Sequence, residues 1–251
     1  MTRILLSGCF GRMGGAVISA ACENNRIEII SGVDIASGES SFPVYKSIHD
    51  NVEKPDVIID FSHHSALPEI LNYAVRKNIP VVIATTGHDQ FESNLMVEAT
   101  EWIPVFFSRN MSIGVNLLIA LAKKASEFLG ADYDVEIIEK HHRNKLDAPS
   151  GTALMIADAI KETRDATDYV YDRHEKREKR STEEIGIHAV RGGSIIGEHE
   201  VIFAGKDEVV TISHSAASRS LFAAGAIKAA EFIVGKPAGL YGMDDLLSEI
   251  I

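Results

Sequence analysis

The sequence predicts an α/β protein: a doubly wound, Rossmann-like parallel-sheet domain joined to an α+β domain built on a mixed sheet. Three observations carry this expectation. Short β-branched runs alternate with helix-length segments through the first third of the chain. A glycine-rich turn, "SGCFGRMGG", follows the first run, and an acidic residue closes the second. Late in the chain the alternation stops, and three strand-like segments succeed one another across glycine turns.

The N-terminal strands are "RILLSG" (residues 3–8), "IEIISGVD" (27–34), "DVIIDFS" (56–62), "PVVIATTG" (80–87) and "IPVFFS" (103–108). Their near-continuous apolar character marks strands covered on both faces, as in a parallel sheet flanked by helices. Helical patterns fill the intervals at 12–23, 65–77 and 90–100, and a long apolar helix over 113–129 leads onward.

The pattern then changes. "DYDVEIIEKHH" (132–142) alternates as a strand, and "SGTALMIADAIKE" (150–162) opens a helix on a serine cap. "GIHAVRGG", "GEHEVIFAG" and "EVVTISHSA" are three strands with short connections, which suit an antiparallel or mixed sheet. Residues 220–234 return to helix, suited to packing back on the first domain. The expected division is a dinucleotide-binding domain over 1–112 and 217–251, with a substrate-binding domain over 113–216 inserted in it.

Composition narrows the function. The 251 residues are 45% hydrophobic and 24% charged, enough for substantial cores. A net charge of −11 argues against nucleic acid as a general partner, because phosphates need a positive surface. The one basic cluster, "RHEKREKR" (173–180), holds two glutamates and reads as a solvated loop. Apolar runs are strand-sized, so no membrane span is expected, and the start "MTRILLSG" shows no signal peptide. Only two cysteines occur, Cys9 and Cys22, without metal-type spacing, which suits a reducing cytoplasm.

Gly8, Gly11 and Gly14 sit at a strand-to-helix turn, where glycines let the backbone approach a pyrophosphate. The helix start then offers unpaired N–H groups and a positive dipole end. The G-x-x-G-x-x-G spacing is weak alone, since a glycine turn can be purely structural. Arg12 adds a phosphate-seeking cation, and Asp34, about 20 residues on, can accept hydrogen bonds from a ribose diol. A carboxylate at Asp34 followed by Ile35 leans toward NADH over NADPH, with Arg12 and Lys46 as cations able to offset the lean. "ATTGH" and "SRNMSIGVN" end later strands of the same sheet, where ligands of such sheets bind, and should face the nicotinamide half. For Thr85 or Ser108 taken singly, ordinary turn chemistry explains them equally well.

"EKHHRNKLDAPSGTA" (139–153) leaves the end of a strand and stops at a helix start. Ser150 is an N-cap, and Gly151 and Thr152 begin the first turn, a natural carboxylate site. His141, His142, Arg143 and Lys145 bring proton donors and positive charge beside it. Together they describe a pocket for a small dianion protonated as it reacts. Surface decoration is one alternative. A metal site with Glu139 as third ligand is another, but adjacent histidines on a strand point to opposite faces, so no metal is expected.

These segments, with "RGGSIIGEH", "SRSLFAAGAIKAA" and the tail "GLYGMDDLL", resemble the 4-hydroxy-tetrahydrodipicolinate (dihydrodipicolinate) reductase family over essentially the whole chain. The resemblance implies NAD(P)H-dependent reduction of a cyclic hydroxy-dicarboxylate at C4 with loss of water, in the diaminopimelate–lysine pathway. It places the proton donor on His141, an assisting proton donor on Lys145, and substrate binding on His142, Gly151 and Thr152. Cofactor-binding positions fall on Gly8, Cys9, Phe10, Gly11, Arg12, Met13 and Asp34. They continue with Ala84, Thr85, Thr86, Ser108, Arg109, Asn110 and Met111. Ala84 stands where members often have glycine, and Ile35 where some have arginine; both leave the choice between NADH and NADPH open. A homotetramer built through the second domain's sheet is also implied. Rival expectations are a non-catalytic sensor of NAD(H) and a dehydrogenase of another small dicarboxylate.

Overall fold

The computed structural model describes residues 1–164, 168–174 and 176–249. In chain order the elements are β1 (Thr2–Ser7), α1 (Arg12–Cys22), β2 (Ile27–Val33), β3 (Val44–Tyr45), β4 (Val57–Asp60), α2 (Leu67–Lys77), β5 (Val81–Ile83), α3 (Gln90–Ala99) and β6 (Pro104–Phe107). They continue with α4 (Ile113–Leu129), β7 (Asp134–His141), α5 (Gly151–Lys161), β8 (Asp168–Val170), β9 (Glu184–Arg191), β10 (Gly197–Ala204) and β11 (Val209–Ala216). The chain closes with α6 (Ser220–Ile233), β12 (Gly239–Tyr241) and α7 (Met243–Ser248). It divides into two compact units, Met1–Ile113 with Arg219–Ile251, and Gly114–Ser218.

The first unit is a parallel sheet of seven strands in the order β12-β6-β5-β4-β1-β2-β3. Strand order reverses beside β1, so the turn after β1 lies at the switch point where ligands of such sheets bind. The central strands are buried on both faces, which explains their unbroken apolar runs. One face carries a core of Ile4, Leu6, Val17, Ile59 and Phe106 with Ala226, Ala230 and Ile233 of α6. The other packs Leu5, Ile58, Val81 and Val105 on Leu67, Ile70 and Met96 of α2 and α3. The helix pattern over 65–77 resolves into a 3-10 turn (His64–Ala66) and then α2, because Pro68 suits only a helix start. Asp89 and Glu92 form a reciprocal capping box that starts α3.

The second unit is a mixed sheet in the order β11-β10-β7-β9-β8. β7 runs antiparallel to β10 and parallel to β9. Along β7, Val135, Ile137, Glu139 and His141 are buried, while the residues between them are more open. The buried face packs Val135, Ile137, Val201 and Phe203 against Leu118 and Ala122 of α4 and Ala153, Ile156 and Ile160 of α5. β7 ends at His141, so His142 stands beyond the strand and the opposite-face argument does not apply to the doublet. Of the basic run 173–180, Glu175 lies outside the described residues. Within that run Arg180 pairs with Asp134 and Glu136 of β7, and Arg173 with Glu184 of β9, so these cations are held by the sheet's own carboxylates. Among the described residues no helix is long and apolar enough to cross a membrane, and no cluster of metal-ligating side chains is present.

Candidate functional site

In the first unit the glycine turn is set by space. Gly8 has φ +77°, and a Cβ there would lie 2.6 Å from the carbonyl oxygen of Phe61, the residue just after the neighbouring strand β4. A Cβ on Gly14 would lie 2.2 Å from the Gly8 carbonyl oxygen. These two glycines therefore let the turn fold onto β4 and α1, and Gly11 caps α1 in extended geometry. The carboxylate of Asp34 then ties the turn to the end of β2. Its Oδ2 accepts the Phe10 N–H at 2.8 Å and its Oδ1 the Ala36 N–H at 2.8 Å.

Gly8, Phe10, Gly11 and Asp34 line one cavity of about 410 Å³. A second, of about 380 Å³, joins Arg12, Met13, Arg109, Asn110 and Met111 with Arg219, whose place in the site the sequence did not reveal. Three guanidinium groups around one hollow beside a helix start suit a diphosphate. A third cavity, about 280 Å³, is lined by Ala84, Thr85 and Thr86 with Ser62 and His63. Fully buried Asp60, closing β4, joins two of these loops. It accepts the Ser62 N–H at 3.0 Å and the Thr85 hydroxyl at 3.3 Å. Burial pushes its carboxyl up, against the pull of these donors. Two predicted residues have buried side chains. Cys9 is 1% exposed with its thiol pushed up to about 11, mainly by burial. Ser108 turns inward, its hydroxyl donating to the Asn110 carbonyl at 2.8 Å.

In the second unit β7 places Glu139 and His141 two residues apart, hence on one face. Glu139 is fully buried, and its Oε2 lies 2.5 Å from Nδ1 of His141. Arg191 of β9 donates to both carboxylate oxygens at 2.7 Å, and the Ser150 N–H donates to Oε1 at 3.0 Å. Burial works to raise this carboxyl, yet the donors of Arg191 and His141 outweigh it and hold Glu139 below the usual range. Burial in turn lowers His141, against the pull of Glu139. A neutral His141 then donates Nδ1–H to Glu139, leaving Nε2 with a lone pair that can take up and release a proton. Gly197 of β10 keeps that nitrogen clear, since a Cβ there would sit 3.1 Å from it.

His199, directly opposite Glu139 in the β10–β7 register, was not expected. Its ring is 5.3 Å from that of His141, and its Nε2 lies 3.1 Å from the Ser150 hydroxyl. Burial, followed by the charge of His141, lowers it to about 4, so it is neutral near pH 7. The Ser150 hydroxyl accepts the Ala153 N–H at 3.2 Å and starts α5. At Gly151 a Cβ would meet no protein atom, so the open backbone there is available to a ligand. Thr152 follows in the same turn. Lys145 pairs with Asp147 at 2.8 Å. His142 has a buried Nδ1 with no hydrogen-bond partner among the described residues. Glu139, Lys145, His142 and the α5 start thus surround His141 along one short segment.

Two family models match the chain: dihydrodipicolinate reductase, N-terminus, over residues 2–111, and dihydrodipicolinate reductase, C-terminus, over residues 114–247. The 4-hydroxy-tetrahydrodipicolinate reductase of Caldanaerobacter subterraneus subsp. tengcongensis is 52% identical over 99% of each chain. That of Clostridium tetani is 48% identical over 99% of this chain and 98% of its own. Among solved structures, a dipicolinate-bound dihydrodipicolinate reductase from Paenisporosarcina sp. TG-14 matches with a TM-score of 0.80 at 25% identity. It covers 96% of this chain and 97% of its own.

Proposed function

The chain belongs to the dihydrodipicolinate reductase family, and from that premise we propose how its residues reduce the family's substrate. The protein is an NAD(P)H-dependent oxidoreductase of the diaminopimelate–lysine pathway. It converts (2S,4S)-4-hydroxy-2,3,4,5-tetrahydrodipicolinate to tetrahydrodipicolinate. One hydride and one proton enter, and one water leaves.

The first unit's residues fit a dinucleotide: Gly8 permits close backbone approach, Arg12, Arg109 and Arg219 face a diphosphate, and Asp34 faces a ribose. When bound, its nicotinamide supplies the hydride that reaches C4. Asp34 followed by Ile35 favours NADH as donor, because no guanidinium follows the acid to receive a 2′-phosphate.

The observation that carries the assignment of residues is the Glu139–His141 pair beside the start of α5. Glu139 fixes the ring and its tautomer, so His141 presents Nε2 and holds the proton delivered as substrate is reduced. Lys145, next to it in charge, assists as a second proton donor. Gly151 and Thr152, at the positive end of α5, hold one substrate carboxylate, and His142 contributes to holding the dianion. That a relative was solved with dipicolinate bound supports a small cyclic dicarboxylate as the ligand here.

We also assign a homotetramer formed through the five-stranded sheet, whose edge strand β11 leaves Val209 61% exposed. Light scattering should give four times 27.3 kDa. Free Cys9 and Cys22 suit the reducing cytoplasm. The assay that tests the function mixes protein, NADH and the hydroxy-dicarboxylate and follows absorbance at ~340 nm, with turnover on the usual enzymatic scale expected. Absence of substrate-dependent NADH loss overturns the reading and favours a sensor of NAD(H).

A further inference from the structure

We propose that Lys46 is the residue through which the nucleotide cavity receives a 2′-phosphate, so that NADPH is used beside NADH. The assignment rests on the reductase reading above.

The cavity that holds Asp34 is also lined by Ile35, Ala36, Lys46 and Ser47. Asp34 already accepts one backbone N–H on each oxygen. A carboxylate has about four lone-pair sites, so two remain for a ribose diol. A 2′-phosphate at the same spot would meet this negative charge and needs a cation to offset it. The residue after the acid cannot provide one, because it is Ile35, 92% exposed and apolar.

Lys46, at the start of the segment following β3, reaches back across this loop. Its Nζ lies 2.8 Å from the Ile35 carbonyl oxygen, 2.6 Å from that of Ala36 and 2.8 Å from the Ser37 hydroxyl. The ammonium is therefore fixed on the three residues that follow the acid. Lys46 and Asp34 line the same cavity. All three partners are neutral oxygens, and among the described residues no carboxylate pairs with Lys46. A phosphate oxygen can replace the Ser37 hydroxyl on Nζ, and that hydroxyl can then turn and donate to the phosphate. The rim so built reads a free 2′-hydroxyl through Asp34 and a 2′-phosphate through Lys46.

A loop staple and a phosphate receptor differ in one respect. Losing a staple weakens every nucleotide alike, whereas losing a receptor changes the ratio between nucleotides with and without the phosphate. Calorimetric titration of the full-length protein with 2′,5′-ADP and with 5′-AMP measures that ratio directly. In Lys46→Met the preference for 2′,5′-ADP should fall at least ~10-fold, the scale of one lost charge-assisted hydrogen bond. The kcat/KM ratio of NADPH to NADH should fall in parallel. Lys46→Arg should keep the ratio on the wild-type side. Added salt should erode the preference in wild type more than in Lys46→Met, since the lost contact is ionic. An unchanged binding ratio in Lys46→Met overturns the proposal. If wild type oxidises neither cofactor with substrate, the reductase reading fails, and the binding ratio still decides the role of Lys46.

Discussion

Glu139 Oε2 and His141 Nδ1 are 2.5 Å apart on the buried face of one strand, and the carboxylate is closed to solvent. A buried anion so placed orients the ring through its back nitrogen and leaves the front one for chemistry. It is stable there because Arg191 and the Ser150 N–H complete its hydrogen bonds.

The first prediction concerns this pair. Glu139→Gln keeps the shape but removes the charge that fixes the tautomer, so kcat should fall ~100-fold or more, the usual scale of acid–base loss. Burial already holds the His141 pKa below its ordinary 6.5. Glu139 is the chief influence raising it, so the variant's pKa drops further. In the proposed role the acidic form is the proton donor, so activity falls as pH rises through that pKa. The pH profile of kcat/KM in Glu139→Gln should therefore break at lower pH than in wild type. A break moved upward would contradict the assignment.

The second concerns stability. His199 titrates near 4 in the folded protein and near 6.5 when unfolded. On acidification the unfolded chain takes up the proton first. The contribution is thus complete above pH 6.5 and is lost as pH falls toward 4, amounting to ~3 kcal/mol at most. His141 and His214 are lowered too and act in the same direction. Urea unfolding across this range should show stability falling with pH, with a shallower slope in His199→Gln. Equal slopes for the two proteins would remove His199 from the account.

Much of this was legible in the sequence. The central strands of the first sheet announced themselves as apolar runs because both faces are covered, and the Gly8–Gly14 turn marked the nucleotide end. β3, β8 and β12 did not, since two or three residues carry no period. Within the polar segment His141 and Lys145 stood out by chemistry. Glu139 reads by chemistry as a metal ligand, whereas its i, i+2 spacing from His141 puts both on one strand face. Arg191 and His199 carry no local signal. They reach the pair because β9 sets Arg191 opposite His141 and β10 sets His199 opposite Glu139, which only the sheet order reveals.

A third prediction separates the cysteines. Cys22 is exposed, whereas Cys9 is buried with its thiol near 11. Only the thiolate reacts, so iodoacetamide at neutral pH should label Cys22 alone, read by peptide mass spectrometry. Equal labelling of Cys9 would mean that the glycine turn opens freely.

A fourth divides the histidine doublet. His142→Ala should raise the KM for the dicarboxylate with a smaller effect on kcat, because the role proposed for it is holding substrate. A loss confined to kcat would give His142 a share of the proton chemistry.

The most direct test of the central claim is the turnover of His141→Gln, measured by NADH oxidation with the hydroxy-dicarboxylate alongside NADH affinity. The expected kcat is at least ~100-fold below wild type, with NADH binding retained. Near-normal turnover in this variant would contradict it.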